Sequence, residues 1–335
     1  MGTTLLDVHD DARARRAYEA IVASRVLGRP WFEPTSFNEI VVDWRHDDKA
    51  EPKEVWVAED QSGIAGVATL YLPMEDNTSI AWFDLHVDPD RRRRGHGSAL
   101  IERMTERAAA AQRSLVLTEF MVPSDEPQHG YRLFAERHGY TLNNTEVIRH
   151  LDLPVAGERL DALCEASRPR WEGDYHLETF ANGVPEPLRP SLCDVMNQLV
   201  VDAPTGDIDF EPESLNPTRY QEYLDVERDQ RRTRLTTVAI DNGTGDVVAF
   251  TDLMLPSGAP TTTWQWGTFV DRAHRGRRLG MAVKVENLRR LQAEHPARRR
   301  VTTGNDGTNS WMVSINEELG FRIVELCPAY QRTLA

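Results

Sequence analysis

Cysteine is scarce: there are three in 335 residues, Cys164, Cys193 and Cys327, without paired spacing or a Cys-x-x-Cys. That gives no disulfide framework and suits a reducing compartment. Cys193 and Cys327 lie in apolar surroundings and read as small core residues rather than nucleophiles. No apolar run approaches the ~18 residues that a membrane-spanning helix needs. Met1-Gly2-Thr3-Thr4-Leu5-Leu6-Asp7 lacks a signal-peptide pattern, and Leu6 breaks the N-myristoylation motif that Met1-Gly2 would open. A cytoplasmic location, with no membrane partner, is expected on these grounds. Positive charge is also in deficit, since 39 Lys and Arg face 53 Asp and Glu for a net −14. A nucleic-acid partner requires a basic footprint, so that class is set aside. No metal is expected, and no partner chain beyond a monomer or homodimer.

What is there is ordinary soluble composition, 40% hydrophobic and 27% charged, in a length that suggests two domains. Against the acidic background, arginine is concentrated at 91–94, 275–278 and 297–300. The third cluster follows Pro296 and reads as a solvated turn between a helix and a strand. The first lies in Val87-Asp88-Pro89-Asp90-Arg91-Arg92-Arg93-Arg94-Gly95-His96-Gly97. Before it, Ser79-Ile80-Ala81-Trp82-Phe83-Asp84-Leu85-His86 is aromatic and β-branched, a strand pattern. After it, Ser98-Ala99-Leu100-Ile101-Glu102-Arg103-Met104 has apolar residues at helical spacing. Strand, Gly/Arg loop and helix in that order build an anion site. Glycine lets backbone approach a phosphate, and the first amides of a helix are unpaired donors at the positive end of its dipole.

These residues resemble the GNAT acetyltransferase superfamily, whose acetyl-CoA signature Gln/Arg-x-x-Gly-x-Gly/Ala follows a strand ending in Val-x-Pro. Arg92-Arg93-Arg94-Gly95-His96-Gly97 fits at every fixed position. The resemblance implies that this loop, with Ser98, wraps the CoA pyrophosphate. It also implies that the preceding strand splays open, so that Leu85 and Val87 pair with pantetheine.

The remaining first half reads as a strand at 5–8, helices at 10–22 and from Ser36 toward Trp44, and a hairpin of 54–60 with 64–72. After the loop helix come a buried strand at 114–120, a helix at 130–138 ended by Gly139, and two short strands within 140–153. The expected fold class is α/β (α+β), a mixed, mostly antiparallel sheet flanked by helices. Residues 154–173, with Pro154, Gly157 and Arg168-Pro169-Arg170, read as a linker. The expected domains are thus 1–153 and 174–335.

The second half repeats the order. Strand Thr262-Thr263-Trp264-Gln265-Trp266-Gly267-Thr268-Phe269-Val270 leads into Asp271-Arg272-Ala273-His274-Arg275-Gly276-Arg277-Arg278-Leu279-Gly280, then a helix to 291, a strand at 301–303 and a helix at 308–319 ended by Gly320. Val87 and Val270 are 270 − 87 = 183 apart, and Gly139 and Gly320 are 320 − 139 = 181 apart. Landmarks of different chemistry thus hold one offset within two residues. The whole chain resembles a tandem GNAT protein, an architecture shared with mycothiol synthase.

The second loop departs from the signature. Arg275 and Gly280 keep its first and last positions, but Arg278 replaces the middle glycine. By the resemblance Phe269, Val270, Arg275, Gly276, Arg277, Arg278 and Gly280 are cofactor contacts, and Asn309 touches pantetheine. The family tyrosine that protonates the leaving thiolate is missing from both halves: Ala135 and Asn316 stand at its position. Tyr131, one turn before Ala135 and on roughly the same face, reads as a core residue first and as a substitute acid second. For the proton of the acceptor amine, Trp82, Asp84 and His86 alternate onto one strand face, which by the resemblance looks toward the acceptor. Asp84 and His86 are therefore base candidates, and Glu119 at the end of the next strand is a third. The equivalent second-half face carries Gln265, Gly267 and Phe269 and nothing titratable.

The resemblance implies an acetyl-CoA-dependent N-acetyltransferase, and the acidity of the chain suggests a small cationic amine as acceptor. Two alternatives stand beside it: a mycothiol-synthase-like enzyme with the second half catalytic, and a CoA-binding sensor without turnover.

Overall fold

The computed structural model describes residues 2–126, 128–202, 206, 208 and 210–334. In chain order the elements begin with β1 (Thr3–Leu5), α1 (Asp11–Val26), α2 (Phe37–Arg45), β2 (Lys53–Asp60), β3 (Gly63–Tyr71), β4 (Ile80–Val87), α3 (His96–Ala110), β5 (Leu115–Glu119), β6 (Val122–Pro123), α4 (Gly130–Arg137) and β7 (Thr141–Asp152). They continue with α5 (Gly157–Ser167), β8 (Tyr175–Ala181), α6 (Arg189–Asp202), α7 (Pro217–Asp229), β9 (Thr233–Asp241), β10 (Val247–Leu255), β11 (Thr262–Val270), α8 (Leu279–Glu294), β12 (Arg300–Asp306), α9 (Ser310–Leu319) and β13 (Arg322–Thr333).

Local chemistry sets the helix starts. Asp10 accepts from the N–H groups of Ala12 and Arg13 at 3.0 and 3.1 Å and so opens α1. Ser36 and Glu39 form a reciprocal capping box at α2, with the Glu39 carboxylate buried behind it. Ser36→Ala should therefore lower the stability of the fold by about 1 kcal/mol or more, read as a lower urea midpoint.

Two compact units divide the chain. The first comprises Met1–Glu146, Gly206–Ile208 and Glu325–Ala335, the second Val147–Thr205 and Asp209–Val324. In the first unit the sheet order is β1-β2-β3-β4-β5, followed by residues 325–333 of β13. Neighbours are antiparallel except for the parallel pair β4/β5. Strand alternation divides its apolar residues between two faces. Phe83, Val116 and Tyr140 pack with Leu100 and Met104 of α3. Val55, Val57 and Val67 pack with Ala17, Ile21 and Trp44 of α1 and α2.

The second unit runs β8-β9-β10-β11-β12, again antiparallel until the parallel pair β11/β12. The internal repeat therefore extends to strand pairing. Trp82 and Trp264 are 264 − 82 = 182 apart, against 183 at the loops. The difference is an extra residue in β11, where the register with β10 shifts between Thr251 and Leu253.

Three features differ from the sequence reading. Residues 154–173 contain a helix, α5, whose Leu160 is buried against α8 of the second unit. The two short strands expected within 140–153 are one continuous strand, β7. The third is β13, which the sequence reading missed: its residues 329–333 pair with β5, Ala329 opposite Glu119 and Thr333 opposite Leu115.

Candidate functional site

In the first unit β4 and β5 stay paired over only three residues, from Ile80 opposite Leu115 to Trp82 opposite Leu117, and then part. The other edge of β4 remains paired with β3 as far as Val87. From Phe83 to Val87, the edge that faced β5 therefore has no strand partner, and Leu85 and Val87 lie on it. Apart from the Val87 carbonyl, which accepts from Arg92 Nε, backbone donors and acceptors there are available to an extended ligand.

The loop after β4 is anchored at its start and open at its tip. Asp88 accepts from the N–H of Asp90 at 3.0 Å. The Arg91 guanidinium is held by Asp60 and by the carbonyls of Gly63 and Ile64 at 2.7 and 2.6 Å. Arg92 Nε donates to the Val87 carbonyl at 3.2 Å, and its Nη2 donates to Ser24 Oγ on α1 at 3.3 Å. Arg93, Arg94 and Gly95 are exposed. Positive φ at Arg93 (62°) and at Gly95 (88°), which caps α3, turns the backbone around a concave anion nest. Arg94 donates only to the Asp90 carbonyl, at 3.2 Å, and Arg93 has no hydrogen-bond or ion-pair partner among the described residues.

His96 and Gly97 do different work from the loop tip. The His96 side chain points inward, 1% exposed, with the Asp60 carboxylate 3.5 Å away, and burial lowers its pKa. Only its backbone amide belongs to the helix terminus. At Gly97 a Cβ would lie 3.2 Å from the Phe134 ring and 3.6 Å from Val87 Cγ2, so this glycine serves close packing of α3 on β4 and α4. Ser98 Oγ is 3.1 Å from His138 Nε2. Tyr131 has the Arg92 guanidinium 5.3 Å over its ring.

On the opposite face of β4, Asp84 and His86 look toward α1. Arg25 of that helix reaches Asp84 at 3.9 Å, yet burial and the neighbouring Asp43 charge still raise the Asp84 pKa. His86 is held well below its ordinary range by burial and by the positive charges of Arg25 and Arg92. Glu119 is exposed at the end of β5, yet the protein crowded around it and then the charges of Glu146 and Asp84 push it up to about 7. The neighbouring Cys327 thiol works against that rise, and its own pKa is raised well above normal by burial and by Glu119. Cys327 and Glu119 share a sheet face because Ala329, two residues on, is the partner of Glu119. Glu146 escaped the sequence reading, which took Cys327 for a small core residue and missed its place beside Glu119. Glu146 has no local signal, and Cys327 lies more than two hundred positions from the carboxylate it meets.

The second loop repeats the backbone of the first position by position. Positive φ recurs at Gly276 (80°) and Arg278 (59°), offset by 183 from Arg93 and Gly95. Arg275 Nε donates to the Val270 carbonyl at 3.1 Å, as Arg92 does to Val87. A Cβ at Gly280 would meet Ile315 at 3.3 Å and Val270 at 3.7 Å, the packing role of Gly97. The charges are arranged otherwise. Arg272 and Arg275 both bind Asp202, Arg277 binds Asp174 at 2.5 Å, and Arg278 binds Glu318 at 2.7 Å.

Other second-unit candidates also have structural partners. Asn309 caps α9, accepting from the N–H of Met312 at 3.1 Å. Phe269 is buried in an apolar cluster. Gln265 Nε2 donates to Thr251 Oγ1 at 2.9 Å and to the Asp252 carbonyl at 2.6 Å. Asn316, at the tyrosine position, is fully buried and accepts from Lys284 Nζ at 2.9 Å.

Residues 51–142 match the model of an acetyltransferase (GNAT) domain. A tandem GNAT protein from the clavulanic acid biosynthesis pathway superposes with a TM-score of 0.79 at 23% identity, over 99% of this chain and 98% of that one. A GCN5-related N-acetyltransferase from Sphaerobacter thermophilus gives 0.64 at 16% identity, over 99% and 95% of the two chains. A GCN5-related glucosamine N-acetyltransferase region of a fungal multi-domain β-N-acetylglucosaminidase gives 0.68 at 13% identity, over 99% of this chain and 38% of that one. No curated protein gives a significant match.

Proposed function

We propose that this chain, whose residues 51–142 belong to the GNAT acetyltransferase superfamily and whose whole length has the tandem GNAT fold, acetylates the amine of a small cationic acceptor in its first unit. The observation that carries the reading is the first unit's open strand edge, set between an uncommitted Arg/Gly loop and Glu119. The site fits acetyl-CoA on its own features. A nest of positive-φ backbone at a helix N-terminus, with Arg93 unpaired, suits a pyrophosphate. The unpaired edge of 83–87 suits an extended amide chain.

Acetyl-CoA supplies the thioester carbonyl that the amine attacks. The protein's task is to hold the amine there and take its proton. Asp84, Glu119 and Glu146 give this face an anionic field that attracts an ammonium group. A base with a pKa near 7 accepts a proton at neutral pH and releases it again, and Glu119 has that value. His86 is too weak a base for the role, because burial and two neighbouring cations oppose its protonation. Asp84 supports Glu119, since its charge helps to raise the Glu119 pKa. We retain 1–153 and 174–335 as the two halves of the duplication, with residues 325–335 joining the first unit.

Acetyl-CoA turnover over a panel of mono- and dicationic amines, followed as free thiol released, tests the activity. Dependence of thiol release on a cationic amine is the expected result, and binding without amine-dependent release would leave a sensor. Gly95→Val tests the loop. A branched side chain at a φ of 88° is strained and stands where phosphate meets backbone. CoA affinity in the first unit should fall at least tenfold, about 1.4 kcal/mol. An unchanged dissociation constant would remove the loop from the site.

A further inference from the structure

We propose that the basic loop of the second unit is a masked phosphate site, closed by the carboxylate of Asp202 standing where the ligand's phosphate belongs. The proposal rests on the reading that the matching first-unit loop takes the phosphates of CoA. Its ground is a comparison of two loops with one backbone and opposite charge states.

The scaffold of the second loop is intact. Both positive-φ turns, the guanidinium tie to the last strand carbonyl and the helix-packing glycine recur at a fixed offset. Asp271 even repeats the turn-closing contact of Asp88, accepting from the N–H of Ala273 at 2.8 Å. A loop that had lost all use for an anion would be free to drop this geometry.

What changed is the residue that meets the signature arginine. In the first unit Arg92 Nη2 donates to the neutral hydroxyl of Ser24, near the end of α1. In the second unit Arg275 Nη2 donates to the carboxylate of Asp202, the last residue of α6. Asp202 also accepts from Arg272, through Nε at 3.1 Å and through Nη2. Its side chain is 8% exposed, so the pairing is shielded from water on the carboxylate side. A carboxylate at a helix C-terminus faces the negative end of the dipole and is disfavoured there. The two guanidiniums offset that cost and hold the Asp202 pKa below its ordinary range. A carboxylate fixed in the same molecule competes at a high effective concentration with any free phosphate ligand. Arg277 and Arg278 carry further pairs, with Asp174 and Glu318, but the carboxylates of these pairs are more exposed than that of Asp202 and contribute less.

The expected ligand of the unmasked loop is a nucleotide pyrophosphate, with CoA itself as probe. Titration calorimetry of CoA on the intact chain should show one site in the wild type, weakened at least tenfold in Gly95→Val. In Gly95→Val/Asp202→Asn one site should reappear, at least tenfold tighter than any residual binding to Gly95→Val. The reciprocal variant places the mask in the first unit. Ser24→Asp should weaken CoA binding at least tenfold, and Ser24→Asn, similar in size and uncharged, should weaken it far less. Circular dichroism confirms that each variant is folded, and if Asp202→Asn fails to fold, Ser24→Asp alone decides. Two equal CoA sites in the wild type overturn the proposal. So does a folded double variant that binds no CoA, or a Ser24→Asp chain with wild-type affinity. Absence of CoA binding in the wild type is a different outcome, which removes the first-unit reading and this proposal with it.

Discussion

Glu119→Gln is expected to lower turnover by about 10²- to 10⁴-fold at neutral pH, the usual cost of losing a general base, and to leave acetyl-CoA affinity nearly unchanged. The amide keeps the volume of the carboxylate but cannot take a proton. In the wild type the rate should climb with pH through about 7, as Glu119 ionises and becomes able to accept. In Glu119→Gln that inflection should vanish. Its residual rate should rise only as the free amine becomes neutral in solution, at higher pH. Asp84→Asn makes a graded contrast. It removes a like charge that raises the Glu119 pKa, so the wild-type inflection should move to lower pH. Its main loss should fall on KM for the cationic acceptor. A full-strength inflection near 7 in Glu119→Gln would assign the base to another group.

Replacing Lys284 with Ile and Asn316 with Ala together should stabilise the second unit by roughly 2 kcal/mol near pH 7, with the gain shrinking as pH approaches 10. Lys284 is 1% exposed, and burial lowers its pKa from 10.5 to about 7, with no carboxylate near enough to offset the shift. The unfolded chain binds this proton up to about pH 10, and the folded chain gives it up near 7. Between those values the unfolded state holds more protons, so wild-type stability should rise with pH across that window. Below about 7 the full penalty applies. At 1.36 kcal/mol per pKa unit it is on the order of 4 kcal/mol, from which about 1 each is deducted for the lost Lys284–Asn316 and Asn316–Asn305 hydrogen bonds. The pair chosen is the first unit's own: Ile101 and Ala135, at offsets of 183 and 181, are both 2% exposed. The double replacement also leaves no orphan, because Asn305 still accepts from Arg149 at 2.9 Å. Urea unfolding at pH 7 and pH 10 reads the effect, and equal pH slopes in the two proteins would mean that Lys284 stays charged when folded.

Much of the first site was legible because its parts are local. The strand pattern at 79–86, the glycines and arginines of 91–97 and the helical spacing after them follow one another directly. The repeat was legible for the same reason, since it needs only an offset between marked residues. The duty of single loop residues was not. His96 turns inward and Gly97 packs against Phe134, because those roles depend on what lies beneath the loop. The choice among Asp84, His86 and Glu119 was equally hidden. It rests on Glu146, Arg25 and Cys327, which converge from three other elements. Asp202 carried no local signal, and only the position of its partner Arg275 gives it meaning. The boundary at 153/154 tracked composition, and composition says nothing of a strand that pairs with a distant one.

That pairing has a consequence for the order in which the protein can be made. The first unit draws a sheet strand from residues 325–333, and one of them pairs with Glu119 itself. At about 5–20 residues per second, a ribosome that has passed residue 146 needs roughly ten to forty seconds to reach residue 325. During that interval the β5 edge, with Glu119 on it, waits without its neighbour. The second unit has every one of its residues before that strand is finished. The first unit is thus begun first and completed last, and a nascent chain sets Glu119 beside its final strand neighbour only after the other unit has been synthesised.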